Sequence, residues 1–460
     1  MTNSKSKKLL TLMLTLAMVV SLLAGLGITA SAAPDSYWNG VIPTANPGYT
    51  FSGGNGTTPF TAYQINTAAD LAQLAANVAA GMPYQGDYFS LNANIFLNAT
   101  AINPENVLLN VDGPCSYPGT TVYEWLPIGR GSELTQFRGH FNGNENTIYN
   151  AFYKQTTGDI GGGVRPGNNA GIFGSVGMGS VIENLNVDGG YIGAQRSVGG
   201  VVGRNMGGTV RNCVNYGNYV FANGTQGTGG VVGASWVTVT SGVADISRIP
   251  RVNNCSNYAT VENDFDFASS PPPPAPQPRG GSVGGIVGEN EGLVFNSFNT
   301  GDLSSTFNAG GIVGSNQRVN PQHLPNDFFV FGHVNNCYNT GDVSAEIAGG
   351  IIGFQFASAQ NVYNIGTITT TAPMTGGAAG QIIGELDSEY DNDNLFRPTG
   401  TMAVGSTIAG SVTAPQFGDS PAAQIALTDA LNEWVDENIS FVFRNWTRSN
   451  SVNDGFPTFD

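Results

Sequence analysis

The sequence predicts an all-β protein, a right-handed parallel β-helix with small α/β caps at both ends. Three observations lead to this fold. Glycine supplies 64 of 460 residues and charged residues only 11%, a composition that favours small, turn-rich units over amphipathic helices. A glycine-containing phrase returns seven times, mostly at steps near 30 residues. A related asparagine phrase stands between its copies, and a repeat of this period indicates a solenoid.

The first segment of the chain has the order of a secretory signal peptide. Three lysines in "MTNSKSKKLL" precede an apolar run from Leu9 to about Ile28, and the small residues of "TASAAP" follow. This order predicts a leader over residues 1–32 that is cleaved after Ala32. An uncleaved membrane anchor is the alternative, because the run is nearly long enough to span a bilayer. With cleavage, we expect a secreted protein without a membrane span.

Residues 33–136 are predicted to form an N-terminal cap. "YQINTAADLAQLAANVAAG" indicates a strand that enters a helix, with Thr67 as N-cap and Asp70 three residues later. "YFSLNANIFL" alternates apolar and polar residues over 88–97, as a half-buried strand does. A cap is expected because a solenoid otherwise exposes its core at both ends.

The predicted β-helix covers residues 137–397, and a helix plus a strand close it over 398–460. The closing helix is indicated by the apolar stripe at Leu427 and Leu431, and the closing strand by "FVFRNW". Between the repeats, extra residues form predicted loop insertions near 236–250, 262–281 and 316–332. The second insertion contains "SSPPPPAPQPRGG", which favours an extended polyproline conformation.

The asparagine phrase, for example "RNCVNYG" or "NNCYNTG", predicts a corner of each coil. An apolar residue stands directly after the first asparagine and another stands three positions before that residue. In a continuous strand these two would face opposite sides. If both face one core, the chain bends between them, and asparagine tolerates the left-handed conformation of such a bend.

Stacking of the coils brings equivalent corner residues to about 4.8 Å, so their side chains can bond to one another. The predicted ladder consists of Asn184, Asn212, Asn254, Asn296, Asn336 and Asn361. The predicted core stack beside it consists of Leu185, Cys213, Cys255, Ser297, Cys337 and Val362. Cys213 and Cys255 fall on adjacent coils, where a disulfide is feasible only if their β-carbons are aimed correctly. We expect Cys337 to be a free, slowly reacting thiol. The right hand of the helix follows from the usual hand of parallel crossovers.

The alternation of "GGIVG" with "NCYNTGDV" resembles the GLUG motif, a repeat of secreted and surface-attached bacterial proteins. The motif also occurs in IgA-specific metallopeptidases and some adhesins, and the resemblance covers about residues 137–390. It implies a β-helix scaffold at the bacterial surface and says little about activity. A zinc peptidase needs two histidines one helical turn apart, and the histidines here, His140, His323 and His333, lie in unrelated phrases.

Calcium is the one cofactor that the sequence suggests. "ELDSEYDNDN" at 385–394 carries an acidic residue at every second position, so a strand would place the carboxylates on one face. Calcium prefers such oxygen ligands. The weak candidates are Asp387, Glu389, Asp391 and Asp393. A solvated edge that ends the stack is the alternative, and we favour it.

Two rows of aromatic residues follow the asparagine corner. Phe298, Tyr338 and Tyr363 share one position, and Tyr216 and Tyr258 lie two residues further along. Rings in such rows can stack on sugars or can cover the neighbouring coil. We favour the second use.

Catalysis has few candidates. β-Helices also host polysaccharide lyases and hydrolases, which use clustered carboxylates, but the acids Asp264, Asp266, Asp302 and Asp342 are scattered. The G-x-S-x-G match at Ser282 precedes a strand and lacks the strand-to-helix turn of a nucleophile elbow. We therefore assign no catalytic residue.

The net charge of −16 argues against binding to nucleic acids and anionic membranes. We predict a secreted or surface-associated, non-enzymatic β-solenoid that acts in binding, adhesion or surface structure. Its expected partners are glycans or host and cell-envelope proteins. A carbohydrate-active enzyme with its site beside the insertions is the alternative.

Overall fold

Short parallel strands stacked coil upon coil make up most of the computed structural model of the protein. The structure describes residues 37–108, 121–129, 133–154, 169–240, 243–245, 248–265, 281–317, 319, 332–355, 358–371, 378–380, 382–386, 420–438, 443–449 and 451–460. Residues 38–460 belong to one compact unit. The predicted parallel β-helix is confirmed, whereas the hand of its coils stays a prediction.

Strands on the two sides of the asparagine corner form one 15-stranded sheet. The strands before the corner are Tyr63–Ile65, Tyr88–Leu91, His140–Asn142, Val181–Glu183, Thr209–Arg211, Arg251–Asn253 and Leu293–Phe295. Those after it are Ile95–Phe96, Thr147–Tyr149, Asn186–Asp188, Val214–Asn215, Ser256–Asn257 and Phe298–Asn299. His333–Asn339 and Ser358–Asn364 run through the corner as continuous strands.

Three further parallel sheets complete the coils. The first contains Phe152–Lys154, Tyr191–Ala194, Tyr219–Ala222, Val261–Asn263, Leu303–Ser305, Val343–Ala345 and Ile368–Thr370. The second contains Val198–Gly199, Thr228–Gly229, Ser282–Gly284, Asn308–Gly310, Ile347–Gly349 and Ala378–Gly380. The third contains Phe173–Val176, Val202–Asn205, Val232–Ser235, Val287–Asn290, Val313–Asn316, Ile352–Gln355 and Ile383–Leu386.

The core is a set of apolar rows, each with one residue from each coil. One row pairs in register along the third sheet, and every member is fully buried. Its members are Val202, Val232, Val287, Val313, Ile352 and Ile383. Stacking like on like keeps every coil at the same width, which explains why the glycine phrase recurs with so little variation.

The predicted helix near the N-terminus is confirmed as Ala68–Ala79. Thr67 Oγ1 accepts the Asp70 N–H at 3.1 Å, and Asp70 Oδ2 accepts the Thr67 N–H at 3.1 Å. This reciprocal pair satisfies two donors that the helix itself cannot satisfy. A second short helix, Pro104–Leu108, follows, and Pro59–Thr61 and Glu133–Thr135 are 3-10 turns.

The prediction of one half-buried strand over 88–97 is wrong. The segment forms two strands, Tyr88–Leu91 and Ile95–Phe96, which pair with the two sides of the next coil. The apolar alternation is present, but the chain turns a corner at 92–94, so that both halves face one core. The parallel ladder thus already includes strands within the predicted N-terminal cap, whose boundaries stay predictions.

The C-terminal helix is Pro421–Glu437, and it buries Leu427, Leu431 and Val435. Trp446–Thr447 pairs antiparallel with Thr458–Phe459, and Asn453–Gly455 is a 3-10 turn. The prediction that "FVFRNW" closes the stack as a strand is wrong in extent, because among its described residues, 443–446, only Trp446 is in a strand, and that strand pairs outside the parallel ladder. In the part of the chain that the structure describes, no helix is long and apolar enough to cross a bilayer.

Two of the predicted insertions lie against each other. Val239–Thr240 and Val243–Ala244 form an antiparallel hairpin. Val237 and Ala244 of the first insertion pack with Val319 of another, beside Ile249. In the second insertion, near 262–281, residues 266–280, which include Asp266, lie outside the described part, as do the leader 1–32 and His323.

Candidate binding surface

The corner asparagines all have left-handed backbones. Their φ values lie between 52° and 54°, in the region that favours glycine and admits asparagine at the lowest cost of other residues. The residues are Asn184, Asn212, Asn254, Asn296, Asn336 and Asn361. Side chains join several successive pairs: Asn212 Nδ2 donates to Asn184 Oδ1 at 2.8 Å, and Asn361 Nδ2 donates to Asn336 Oδ1 at 2.7 Å.

The residues of the predicted core stack, from Leu185 to Val362, are all buried. Cys213, Cys255 and Cys337 are free thiols, so no disulfide joins the first two. Burial raises the pKa of the Cys337 thiol to about 12, which leaves almost no reactive thiolate at neutral pH. Burial and the neighbouring Cys255 also raise the pKa of Cys213 well above its ordinary value.

A second asparagine ladder lies inside the coils, three residues after the corner. Each member is fully buried and bonds to the next coil: Asn215 to Asn257 at 3.0 Å, Asn257 to Asn299 at 2.8 Å, Asn299 to Asn339 at 2.8 Å, and Asn339 to Asn364 at 2.7 Å. We call this row the inner ladder. The signal for it was the second asparagine of "NCYN" and its relatives, but a polar residue in a strand is expected to face solvent.

The aromatic rows lie on the outer face of the 15-stranded sheet that contains the asparagine corner. We call Phe298, Tyr338, Tyr363, Tyr216 and Tyr258 the aromatic flank. Tyr338 stacks on Phe298 at 4.9 Å and on Tyr363 at 5.2 Å between ring centroids. Tyr216 stacks on Tyr258 at 5.5 Å. Parallel strands in register place like rings above one another, which accounts for the near-parallel planes.

One half of the aromatic flank is covered by the C-terminal segment. The Trp446 ring lies 5.8 Å from Tyr338 and 5.6 Å from Tyr363, and its Nε1 donates to Asn336 Oδ1 at 2.7 Å. Asn336 Nδ2 donates to the Arg444 carbonyl at 3.0 Å. Here the rings contact another part of the chain, whereas their favoured use as cover for the neighbouring coil stays a prediction.

The other half of the aromatic flank is open. Tyr216 is 50% exposed and Tyr258 is 45% exposed. Asn212 lies beside them at the corner and is exposed as well. The open half therefore resembles the covered half in having stacked rings near an asparagine ladder, although its rings lie two residues further from the corner and face solvent instead of a bound segment.

A separate polar cluster lies beneath the first insertion. Arg204 and Glu289 occupy the same register position two coils apart, and Ala234 lies between them. The small alanine leaves room above it for Trp236, whose ring lies 4.4 Å from the Arg204 guanidinium carbon. Glu291 Oε2 accepts the Val237 N–H at 2.9 Å and so holds the start of the insertion. We call Arg204, Trp236, Glu289 and Glu291 the insertion cluster.

Both carboxyl groups of the insertion cluster have raised pKa values. Burial and the neighbouring Glu291 raise the pKa of Glu289 from 4.5 to about 8, against the opposing effects of Trp236 and Arg204. Burial raises the pKa of Glu291 to about 7. The buried Arg204 Nε has no hydrogen-bond partner among the described residues. At neutral pH the cluster therefore offers one mostly protonated carboxyl group, Glu289, one that titrates, Glu291, and one unpartnered guanidinium donor.

These pKa values make stability depend on pH. Because folding raises the pKa of both groups, the folded state binds more protons than the unfolded state between about pH 4.5 and pH 8, so the stability that they supply is lost as the pH rises through that window. We expect the Glu289→Gln variant to be more stable than the wild type at pH 8, by about 1–3 kcal/mol since one pKa unit is worth about 1.4 kcal/mol. Thermal melts from pH 5 to 9 measure this; an equal pH slope in both proteins would contradict it.

The other candidate residues serve the scaffold or lie apart. Ser282 Oγ is buried and bonds to Asn308 Oδ1 at 3.1 Å within a strand, so it is not a nucleophile elbow. Asp302 Oδ1 accepts the Asp342 N–H at 3.2 Å, and Asp342 Oδ1 accepts the Thr367 N–H at 2.9 Å. The two acids thus join turns of successive coils.

The calcium candidates Asp387, Glu389, Asp391 and Asp393 lie outside the described residues, so the calcium site stays a prediction. Across the described ranges, no three His, Cys, Asp or Glu side chains gather where they could hold a metal ion. His140 instead stacks on Tyr88 at 4.6 Å between ring centroids.

Comparison with known proteins agrees with this architecture. A family model described as the GLUG motif matches residues 194–218, which contain "GGVVG" and "RNCVNYG". A crystal structure of a Bacteroides ovatus protein, provisionally described as an immunoglobulin A1 protease, has a TM-score of 0.51 and 18% identity. The structural match covers 93% of this chain and 99% of the Bacteroides ovatus chain. At this identity the likeness concerns the fold alone.

Two curated relatives match part of the chain. Halomucin of Haloquadratum walsbyi is 31% identical over 180 residues, and a protein of Evansella cellulosilytica, provisionally described as a Gly-rich membrane protein, is 32% identical over 160 residues. The matches take in 39% and 34% of this chain. They span only 2% of the first relative and 15% of the second.

Proposed function

We propose that this protein, a parallel β-helix that carries the GLUG motif, is a secreted or cell-surface binding protein whose ligand lies along the open half of the aromatic flank. The observation that carries the proposal is the covered half. There tyrosines at the neighbouring register position and the same ladder bind a polypeptide segment: the Trp446 ring is tilted against Tyr363 at 5.6 Å, and Asn336 bonds to the Trp446 side chain and the Arg444 backbone. The similarity to a protein provisionally described as a Gly-rich membrane protein supports the cell-surface location.

The open half suits a ligand with hydroxyl, amide or flat apolar groups. Tyr216 and Tyr258 are 50% and 45% exposed and stack on each other, so they present one aromatic surface to a ligand. Stacked on a solenoid, they are held at fixed spacing, so little conformational entropy is lost when a ligand binds. Glycans and cell-envelope proteins both provide such groups, and adhesion follows if the ligand is part of a cell.

The test is binding of the protein to glycan arrays and to bacterial and host cells. We expect the Tyr216→Ala/Tyr258→Ala double variant to lose most of the binding, about tenfold or more, because each exposed ring supplies stacking energy of about 1 kcal/mol. Phe60→Ala is the matched control, since this ring is fully exposed at a 3-10 turn outside the aromatic flank. Equal binding of the double variant and the control would overturn the proposal.

The insertion cluster favours a second candidate function, a carbohydrate-active enzyme. Glu289 and Glu291 provide a protonated and an ionisable carboxyl group in one place, as general acid–base catalysis on sugars requires. Incubation with a panel of polysaccharides separates the two functions. Release of reducing or unsaturated ends that is lost in Glu289→Gln would favour the enzyme over the non-enzymatic proposal.

A further inference from the structure

One register position on the outer face carries an interrupted row of rings. Phe96 pairs with Tyr149, and Tyr149 pairs with Asp188. Asn215 pairs with Val187 and Asn257 pairs with Asn215, so the next residues, Tyr216 and Tyr258, continue the same row after Asp188. In chain order the row is therefore Phe96, Tyr149, Asp188, Tyr216 and Tyr258. A carboxylate occupies the position where the stack lacks a ring.

The rings on either side of the gap are held by their other neighbours. Phe96 and Tyr149 stack at 4.6 Å with 12° between their planes, and Tyr216 and Tyr258 stack at 5.5 Å with 13°. Each pair leaves one ring face turned along the row toward Asp188. The gap is thus a slot with two aromatic walls.

The width of the slot follows from the spacing of the strands. Tyr149 and Tyr216 are two strands apart, which places equivalent atoms about 9.6 Å from each other and a group midway about 4.8 Å from each. The chain's own cation–π contacts bracket this distance: Arg204 lies 4.4 Å from Trp236 and Arg444 lies 5.1 Å from Phe459. One cationic group therefore fits between the two rings at its usual distance.

Asp188 supplies the opposite charge at the floor of the slot. Its side chain has no hydrogen bond or ion pair to another residue that the structure describes. A Cβ on Gly217, the residue after Tyr216, would lie 2.3 Å from Asp188 Oδ1. The carboxylate thus leans over the backbone beside Tyr216, and only glycine leaves it room there.

We propose that Tyr149, Asp188 and Tyr216 form a binding slot for the guanidinium group of an arginine on a basic partner polypeptide. A guanidinium is planar, so it stacks on both rings and still donates to the carboxylate in its own plane. The net charge of −16 attracts basic chains from a distance. The inference rests on the proposed function, since it names the chemistry of one ligand group on the same flank.

The test is calorimetric titration of the mature protein with an arginine-containing peptide and with the same peptide carrying citrulline, a neutral residue of the same shape. We expect the arginine peptide to bind at least about tenfold more tightly, because hydrogen bonds between charged groups are worth roughly 1.5–3 kcal/mol. Its affinity should fall as salt is added. Equal affinity for the two peptides would overturn the proposal.

Variants locate the binding. Asp188→Asn should lose about tenfold in affinity for the arginine peptide, and Asp188→Tyr should abolish binding by completing the stack of rings. Asp429→Asn, the same change of charge on the exposed face of the C-terminal helix, is the matched control and should bind as the wild type does. Loss in the control, or none in Asp188→Asn, rules the slot out. Circular dichroism checks that each variant is folded.

The two proposals fail in different ways. If the protein binds the arginine peptide but neither cells nor glycans, the slot is supported and the proposed surface-binding function is overturned. If the protein binds cells through Tyr216 and Tyr258 but does not distinguish arginine from citrulline, the proposed function is supported and the slot is overturned.

Discussion

Asn299→Ala is expected to destabilise the β-helix by about 3–5 kcal/mol, because several buried polar groups lose their partner at once, at about 1–3 kcal/mol each. Asn299 is fully buried in the inner ladder. Its Nδ2 donates to the Gly301 carbonyl at 2.7 Å and to Asn339 Oδ1 at 2.8 Å. Its Oδ1 accepts from Asn257 Nδ2 at 2.8 Å and from the Gly301 N–H at 3.2 Å. The midpoint of urea denaturation measures the loss.

Asn254→Gly is the control for this prediction. Asn254 belongs to the corner ladder, its Oδ1 has no hydrogen-bond partner among the residues that the structure describes, and its φ of 52° suits glycine. We expect a change within about 1 kcal/mol, since little is lost and the left-handed backbone is retained. If the two variants were equally destabilised, the inner ladder would have no special role in holding the coils together.

Gly311→Ala is also expected to destabilise the β-helix, for a steric reason. A Cβ at this position would lie 2.0 Å from the Gly350 carbonyl oxygen and 2.4 Å from Asn339 Cγ. Neither can move, because Gly350 is backbone of the next coil and Asn339 is bonded on both sides in the inner ladder. Overpacking against atoms that cannot yield costs about 1–3 kcal/mol and occasionally more.

The matched control is Gly48→Ala. Its Cβ would meet only Asn46 Oδ1, at an ordinary 3.5 Å, so thermal and urea midpoints should change little. A Gly311→Ala protein with the wild-type midpoint would contradict the close fit between the glycine phrase and the inner ladder. If the Gly311→Ala protein does not accumulate in soluble form, limited proteolysis of the expressed Gly311→Ala and Gly48→Ala chains still compares their stabilities.

Much of the scaffold could be predicted because it depends on local sequence. The bend at Asn184 and its equivalents follows from the one backbone conformation that asparagine tolerates better than other side chains. The burial of Cys337 follows from the leucine and valine at the same place in other coils. The helix after Thr67 follows from its capping box. Each of these features involves residues a few positions apart.

Other features could not be predicted because they join distant parts of the chain. Asn299 reads as a surface residue until stacking places Asn257 and Asn339 within hydrogen-bond distance inside the coil. The two strands of 88–97 read as one until the next coil provides a partner on each side of a corner. Glu289 meets Trp236 because strand pairing places Ala234, two residues before Trp236, opposite Glu289 on the next coil.

The sequence by itself determined that the protein is a stack of like coils, where each coil turns, and that Cys337 is part of its core. It did so because a repeat imposes the same local physics on every copy, and the copies constrain one another. Only the tertiary structure decided which tyrosines face solvent. Tyr338 and Tyr363 are covered by Trp446, about a hundred residues away, whereas Tyr216 and Tyr258 are left open. Coverage depends on where a distant segment packs, and no repeat encodes that.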